Sequence, residues 1–208
     1  MFSQWFAKFS TSPAAFILII SALCAIYMIR ISKEEFVLFS TGYTAMGTEI
    51  LVIFAFQIFF GYIYLKIGLI ITVFLAGLLP GAWLGNKAGN KNRNKRISLV
   101  ICDCILMFLT GLLILAFIKG GGKIPLPVFL AYGFIVSMTC GYQFPAALQL
   151  TGDDNSSVTR LFSADLIGAA AGTLVISVAV IPYLGIIWAA AGLIGLKIIS
   201  VTIMALKS

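Results

Sequence analysis

An apolar stretch from Ile97 to Ile118 reads ISLVICDCILMFLTGLLILAFI and contains one charged residue, Asp103. Roughly 20 consecutive apolar residues are enough to cross a bilayer as an α-helix. The rest of the 208-residue chain has the same character, because 61% of its residues are hydrophobic and only 10% are charged. About a quarter of an average soluble domain is charged. The composition therefore excludes an ordinary soluble domain.

Similar stretches recur along the sequence and predict an all-α, polytopic transmembrane helix bundle of about seven spans. Residues 1–11 are expected to form an interfacial N-terminal segment, because Trp5 and several Phe rings favour the headgroup level. Residues 12–208 are expected to form a single transmembrane domain. Its spans are predicted at residues 12–29, 36–64, 67–84, 97–118, 125–150, 164–181 and 186–206. A polar loop is expected at 151–160, and a tight turn at Pro182–Gly185.

The orientation in the membrane is predicted from the basic residues. The loop 85–96 contains Lys87, Lys91, Arg93, Lys95 and Arg96, and short basic loops stay on the cytoplasmic side. Threading seven spans from this loop places the N-terminus outside and the C-terminus in the cytoplasm. The net charge of +7 is thereby explained by membrane topology, without a nucleic-acid partner. A multi-pass protein of a prokaryotic-type inner membrane is expected.

Several classes of catalytic site are excluded by missing residues. The chain contains no histidine, which excludes HExxH zinc sites, histidine-ligated haem and histidine-based triads. Glycine-rich nucleotide motifs are also absent from the sequence. The cysteines, Cys24, Cys102, Cys104 and Cys140, lie in apolar stretches and are expected to be small packing residues. We therefore predict no enzymatic activity, no metal and no cofactor.

Two sets of glycines predict close helix packing. Gly77, Gly81 and Gly85 recur every four residues in the third predicted span, and Gly168 and Gly172 share a face with Asp165 in the sixth. In lipid, helices associate through such small residues. The partner of each seam is either another helix of the same chain or a second copy of it.

Ionisable residues inside spans are functional candidates, because they are costly in lipid. Glu49 lies near the middle of the second predicted span and Lys197 near the middle of the last, so we expect them to face a common interior and to pair. Such a pair could merely fix helix register, Glu49 could handle protons or cations, or Lys197 could snorkel to the cytoplasmic surface. Gln57 completes this candidate intramembrane polar site.

The polar residues around Glu49 occupy one half of their predicted helix, which we expect to face the bundle. The bulky half opposite is expected to face lipid or an apolar partner. The polar half contains Thr41, Gly42, Thr44, Ala45, Thr48 and Glu49, and the bulky half contains Tyr43, Ile50, Leu51, Phe54 and Ile58.

A second candidate cluster is predicted on the cytoplasmic side. Asp103, Gln143 and Asp165 each lie near the inner end of a predicted span, where Pro145 is expected to kink or end its helix. Asp165 could instead cap the sixth span, since acidic groups suit a helix N-terminus.

The chain resembles a known family over about residues 36–185. The stretches that carry the resemblance include TGYTAMGTEIL at 41–51, FAFQ at 54–57, QFPAAL at 143–148 and ADLIGAAAG at 164–172. They are similar to the membrane portion of spermidine-synthase-like, major-facilitator-fused integral membrane proteins. Longer members carry a Rossmann-like aminopropyltransferase domain, which this sequence lacks. The resemblance therefore implies no catalytic residue, and it marks Glu49, Gln57 and Asp165 as motif positions without a role.

Two functions remain open. The first is a non-catalytic membrane subunit or scaffold of a larger assembly, which contacts lipid and forms a homo-oligomer or a complex with a membrane or soluble partner. The alternative is a small-molecule or ion transporter, working as a half-transporter in a homodimer formed along a glycine seam. It would use the carboxylate of Glu49 near the midplane. A water-accessible cavity reaching Glu49 would favour the transporter, and a dry core the scaffold.

Overall fold

A computed structural model describes residues 31–61, 64–88, 95–120, 125–152 and 154–206, together with Ala22 and Tyr27. The chain divides into two compact units, Met1–Ser32 and Lys33–Ser208. The predicted interfacial segment at 1–11 lies outside the described residues. Apart from Ala22 and Tyr27, so does the first predicted span at 12–29.

The second unit is a bundle of helices, and the predicted all-α fold is confirmed. The helices are α1 Lys33–Phe60, α2 Tyr64–Ala88, α3 Lys95–Gly120, α4 Leu126–Thr151, α5 Asn155–Leu174, α6 Ile181–Leu184 and α7 Ile186–Ala205. A π-helical segment, Val175–Val180, joins α5 to α6, so that residues 155–184 form one span. In the described part of the chain, six spans are long and apolar enough to cross a membrane. The protein is therefore a multi-pass membrane protein.

Four local predictions need correction. The loop predicted at 151–160 is confined to residues between α4 and α5, because α5 already begins at Asn155. Asp165 therefore lies inside α5 and does not cap it. Pro145 does not end α4, which continues to Thr151. The turn predicted at Pro182–Gly185 is also shorter than expected. The last turn of the span 155–184 passes through Pro182, and the chain reverses only at Gly185, whose φ of +85° suits a residue without a side chain.

The central helix of the bundle is α1. Its apolar window is 78% buried, whereas the windows of the other spans are 22–39% buried. Its polar half is buried as predicted, since Thr44, Thr48 and Glu49 are at most 7% exposed. The opposite half faces apolar protein at Leu51, which packs in a buried cluster with residues of α7, and is exposed at Ile58.

Both glycine seams are filled within the chain. A Cβ atom at Gly81 of α2 would overlap the carbonyl oxygen of Met138 on α4, and one at Gly168 of α5 would overlap that of Phe39 on α1. Gly77 and Gly172 make equivalent close approaches to α4 and α1. The predicted packing is confirmed, and the alternative that these seams join two copies of the chain is wrong.

The helix directions reveal two inverted halves. The spans alternate in direction, so that α1, α3 and α5 begin at the same end of the bundle where α2, α4 and α7 end. We call this the basic end, because Lys33, Lys87, Lys95, Arg96 and Arg160 all lie near it. The repeat α1–α3 thus starts at the basic end, whereas the repeat formed by α4, the span 155–184 and α7 starts at the opposite end.

The contacts between the two halves are equivalent. Helix α1 packs in parallel along α5, and its counterpart α4 packs in parallel along α2, while α3 and α7 contact each other. On α1, the backbone of Phe39 and Tyr43 packs closely against Gly168 and Gly172 of α5. On α4, the backbone of Phe134 and Met138 packs in the same way against Gly77 and Gly81 of α2. The bundle is therefore a three-plus-three inverted repeat, an arrangement found in many secondary transporters.

Candidate buried ion-pair site

The interior of the bundle contains an ion pair between α3 and α7. The Nζ atom of Lys197 lies 2.7 Å from Oδ1 of Asp103, and both side chains are 1% exposed. Each residue lies eight positions from the basic end of its helix, which corresponds to about 12 Å of helix. The two charges thus meet at the same depth, at a contact between two helices that occupy equivalent positions in the two repeats.

Polar side chains from three helices complete the coordination of this pair. The Lys197 ammonium donates to Thr41 Oγ1 at 2.9 Å and to Ser40 Oγ at 3.2 Å, both on α1. Asp103 accepts from Gln143 Nε2 of α4 and from Ser200 Oγ of α7, each at 2.7 Å. Thr41 also donates to Gln143 Oε1. We call these six residues the polar network.

The hydrogen bonds of the polar network, as they stand in this conformation, suit a charged Lys197 and an ionised Asp103. An ammonium has three donors and no acceptor, and Lys197 directs its donors to Asp103, Thr41 and Ser40. All the groups that contact the Asp103 carboxylate, from Lys197, Gln143 and Ser200, are donors. A proton on Asp103 would therefore face donors, and at least one of these bonds would have to change.

The predicted pairing of Glu49 with Lys197 is wrong. Lys197 pairs with Asp103, and at 1% exposure it does not snorkel to the surface either. Gln57 is half-buried near the opposite end of α1, about 24 Å along the helix from Thr41 by its separation of sixteen residues. The structure does not bring Glu49, Gln57 and Lys197 together.

The predicted cluster of Asp103 and Gln143 is formed by a direct hydrogen bond. Asp165 lies beside it on α5. Its Oδ1 would be 2.8 Å from a Cβ atom at Gly42, the neighbour of Thr41. Ser40, Thr41 and Ser200 were not predicted as site residues. Their depth in the membrane could have identified them, since each lies about one to two turns inside the basic end of an apolar helix.

Two buried hydroxyls outside the network, those of Thr44 and Thr48, have no hydrogen-bond partner among the described residues. Elsewhere in the described helices, each threonine hydroxyl donates to a carbonyl in the preceding turn. The two exceptions sit on the polar half of α1 deeper in the bundle than Thr41, so that α1 carries unsatisfied polar atoms toward the midplane.

We expect substitution of Glu49 by Gln to leave folding stability unchanged or slightly higher. Within the described part of the chain, the Glu49 carboxylate forms no ion pair and accepts no hydrogen bond, although the residue is only 7% exposed. Glutamine has nearly the same shape, and the substitution removes no hydrogen bond or ion pair, so it should not weaken the folded state. The melting temperature in detergent micelles measures this. A marked fall for Glu49→Gln would show that Glu49 holds the helices in register.

Two apolar cavities open on the side of the bundle. One of about 390 Å³ is lined by residues of α2, α3 and α4 that include Cys102, Met138 and Tyr142, and one of about 300 Å³ lies between α3 and α4 next to Tyr132. Neither is lined by Glu49 or by the polar network. Among the described residues no group of His, Cys, Asp and Glu side chains could hold a metal ion.

Comparisons with known proteins do not identify a relative. No protein-family model, no curated protein and no solved structure gives a significant match to this chain. These comparisons therefore neither support nor oppose the resemblance to the membrane portion of spermidine-synthase-like proteins, and the proposed function rests on the geometry of the bundle.

Proposed function

We propose that this protein is a secondary transporter whose two inverted three-helix repeats move against each other around the polar network. The observation that supports it is the position of the Asp103–Lys197 pair, at the contact between the equivalent helices α3 and α7. Transporters built from inverted repeats place their coupling sites at the repeat interface and open it alternately to each side. The substrate is a small molecule or ion, and the protein has no catalytic activity of its own.

A structural role alone is a poor explanation for the ion pair. Removing two charges from water costs several kcal/mol per ion, about as much as their attraction returns, and a well-packed apolar pair of similar volume is often as stable. Charged residues inside a membrane bundle are accordingly rare and mark pathways for ions and substrates. Because such a pair adds little net stability, it can break and re-form at low cost when two repeats move against each other.

The inverted repeats replace the homodimer that the transporter alternative required in the sequence analysis. Its glycine seams are occupied within the chain, and the two repeats supply inside one chain the symmetry that two copies would otherwise provide. We also propose that the basic end faces the cytoplasm of a prokaryotic-type inner membrane, because the loop 85–96 belongs to it. Membership of the spermidine-synthase-like, major-facilitator-fused membrane family is part of the same proposal.

The second candidate function is a non-catalytic subunit or scaffold. The dry polar network favours it, since Asp103 and Lys197 are each 1% exposed and neither of the cavities described above reaches Glu49. A transporter in an occluded state would look the same. The two functions differ in whether water reaches the centre of α1 from both ends of the bundle.

Cysteine labelling distinguishes the two functions. In a background lacking the native cysteines, we expect Thr48→Cys to react with a membrane-impermeant maleimide from either side, in right-side-out and in inverted vesicles. Thr48 is fully buried with an unpaired hydroxyl. If Phe39 of α1 is equivalent to Phe134 of α4, then Thr48 is equivalent to Gln143, which contacts α1 through Thr41. It therefore lies where the central helices of the two repeats separate if the repeats rock.

Two control variants make the labelling experiment decisive. Leu51→Cys, buried in an apolar cluster with residues of α7, should not react from either side. Arg160→Cys, whose parent side chain is 64% exposed at the basic end, should react only from the cytoplasmic side. If Arg160→Cys reacts while Thr48→Cys does not react from either side, the core stays dry, the transporter is wrong and the scaffold is supported.

A further inference from the structure

The larger of the two lateral cavities lies near the basic end of the bundle. It is formed by α2, α3 and α4 and has a volume of about 390 Å³, which is in the range of ligand-binding clefts. Ile101, Ile105 and Ile135 line it and are 41–47% exposed, so that it is open to the outer surface of the bundle. On α3 the lining extends from Ser98 to Ile105, about 5–15 Å from the start of the helix. This range corresponds to one leaflet, since the hydrocarbon core of both leaflets is about 30 Å thick.

The rim of this cavity at the basic end is polar and connects three helices. The Lys95 ammonium of α3 donates to the carbonyl oxygen of Gln149 on α4 at 3.1 Å. The side-chain amide of Gln149 in turn donates to the carbonyl oxygen of Gly85 on α2 at 3.4 Å. Gly85 directly follows Leu84, and Lys95 lies one turn before Ser98; both Leu84 and Ser98 line the cavity. An ammonium has three donors, and among the described residues Lys95 uses one of them.

A second ammonium, that of Lys87, lies at the same rim. Its Nζ atom is 5.0 Å from the ring centroid of Trp83, and the residue lies one turn beyond Leu84 in α2. In the described part of the chain neither Lys87 nor Lys95 forms an ion pair. The sequences of α2, of α4 and of the segment between α2 and α3 contain no acid, and the one acid of α3 is the paired Asp103. An apolar groove thus has uncompensated positive charge at its mouth.

From this geometry we infer that the cavity binds an anionic phospholipid of the leaflet at the basic end. The phosphate group accepts hydrogen bonds from Lys87 and Lys95, and one acyl chain fills the cavity along α3. Basic pockets between transmembrane helices suit anionic headgroups. The acyl chain restores the dispersion contacts that the lining of an unfilled groove would lack. We call the cavity together with Lys87 and Lys95 the lipid site.

A lipid in this site contacts both repeats, because α2 and α3 belong to one repeat and α4 belongs to the other. Cys102, the neighbour of Asp103, also lines the cavity. The acyl chain therefore lies against the segment of α3 that carries the buried ion pair. The lipid site goes beyond the proposed transport function and does not depend on it, since a transporter and a scaffold would bind the lipid equally well.

Quenching of Trp83 fluorescence by brominated lipids tests the lipid site. The chain contains three tryptophans, and Trp5→Phe combined with Trp188→Phe leaves Trp83 as the reporter beside Lys87. The protein is reconstituted in phosphatidylcholine vesicles that contain increasing amounts of phosphatidylglycerol or phosphatidylcholine with brominated acyl chains. We expect half-maximal quenching at a roughly tenfold lower mole fraction of the anionic lipid, because lysines near the membrane surface attract anionic headgroups. Equal quenching by the two lipids would overturn the inference.

A second reporter separates the lipid site from a general excess of anionic lipid around the protein. Trp5→Phe combined with Trp83→Phe leaves Trp188, which is 67% exposed near the start of α7, at the opposite end of the bundle. Both lipids should quench this reporter equally. If Trp188 shows the same preference as Trp83, anionic lipid accumulates all around the bundle and the inference is wrong.

Three further variants in the Trp83 background locate the binding. Lys95→Gln should lower the preference from about tenfold to about twofold, because one lysine contributes about fivefold. Lys33→Gln removes one exposed charge at the same end of the bundle, on α1, and should leave the preference unchanged. Thr139→Phe places a ring in the cavity and should abolish it. An unchanged preference in Lys95→Gln or in Thr139→Phe, or equal losses in Lys95→Gln and Lys33→Gln, would overturn the inference. If Thr139→Phe does not fold, the two charge variants still decide the question.

Discussion

Replacement of Lys197 by Met is expected to destabilise the bundle by about 3–5 kcal/mol, the cost of removing one partner from a buried ion pair. The change leaves the Asp103 carboxylate in the interior without its cation, and it removes the donor for Thr41 and Ser40. Titration of the folded protein from mild micelles with a denaturing detergent measures the loss.

A matched double variant separates the cost of a stranded charge from the value of the pair. In Lys197→Met combined with Asp103→Leu, no charge is left behind, and replacement of a buried pair by apolar residues is often neutral. We expect the double variant to recover more than half of the stability lost in Lys197→Met, with the remainder due to Gln143 and Ser200, which lose their acceptor. If the double variant is less stable than Lys197→Met, the pair is a net stabiliser and its retention needs no functional explanation.

The depth of the charged residues in the bundle was predicted correctly from the sequence, but the predicted partner of Lys197 was wrong. Depth follows from the distance of a residue to the end of its apolar stretch, and it correctly grouped Asp103 with Gln143. Which helices are neighbours is set by the three-plus-three arrangement, which brings α3 against α7. Glu49 was therefore preferred for its central position, although it lies eight and nine residues from Thr41 and Ser40, the residues of α1 that contact Lys197.

Helix ends were harder to predict than spans, for a physical reason. Hydropathy marks the hydrocarbon core, whereas a helix continues into the headgroup region, where polar side chains are solvated. Thus α5 begins at Asn155, nine residues before the start of the predicted span at Ala164, and α1 begins at Lys33. The glycine seams were predicted well, because small residues at four-residue spacing have one use in lipid; whether the partner helix belonged to the same chain could not be read from spacing.

The closed polar network and the inverted repeats support different functions when each is considered alone. A dry, satisfied network is what a rigid scaffold needs, and inverted repeats are what alternating access needs. The unsatisfied hydroxyls of Thr44 and Thr48 favour the second. A rigid core has no reason to leave two hydroxyls of one helix face without the carbonyl bond that the other helical threonines make. Groups that lack a partner in one conformation can gain water or substrate in another.

Replacement of Gly168 by Ala is expected to separate α5 from α1 and to destabilise the bundle by at least about 1–3 kcal/mol, the usual cost of overpacking. The new methyl group would overlap the carbonyl oxygen of Phe39, a backbone atom that can move only with its helix. Gly77→Ala should have an effect of similar size, because its methyl group would meet Ser137 and the Phe134 carbonyl at the equivalent contact of α2 with α4.

The control for both substitutions is Gly192→Ala on α7. A Cβ atom there meets nothing within 4 Å, so the variant should be neutral or gain about 0.5–1 kcal/mol from the better helix propensity of alanine. The denaturing-detergent titration used for Lys197 ranks the three variants. Equal losses for Gly77→Ala and Gly168→Ala, with none for Gly192→Ala, follow from equivalent seams in two repeats. If Gly168→Ala is tolerated and Gly77→Ala is not, the α1–α5 contact is not the counterpart of the α2–α4 contact, and the symmetry on which the transport proposal depends is lost.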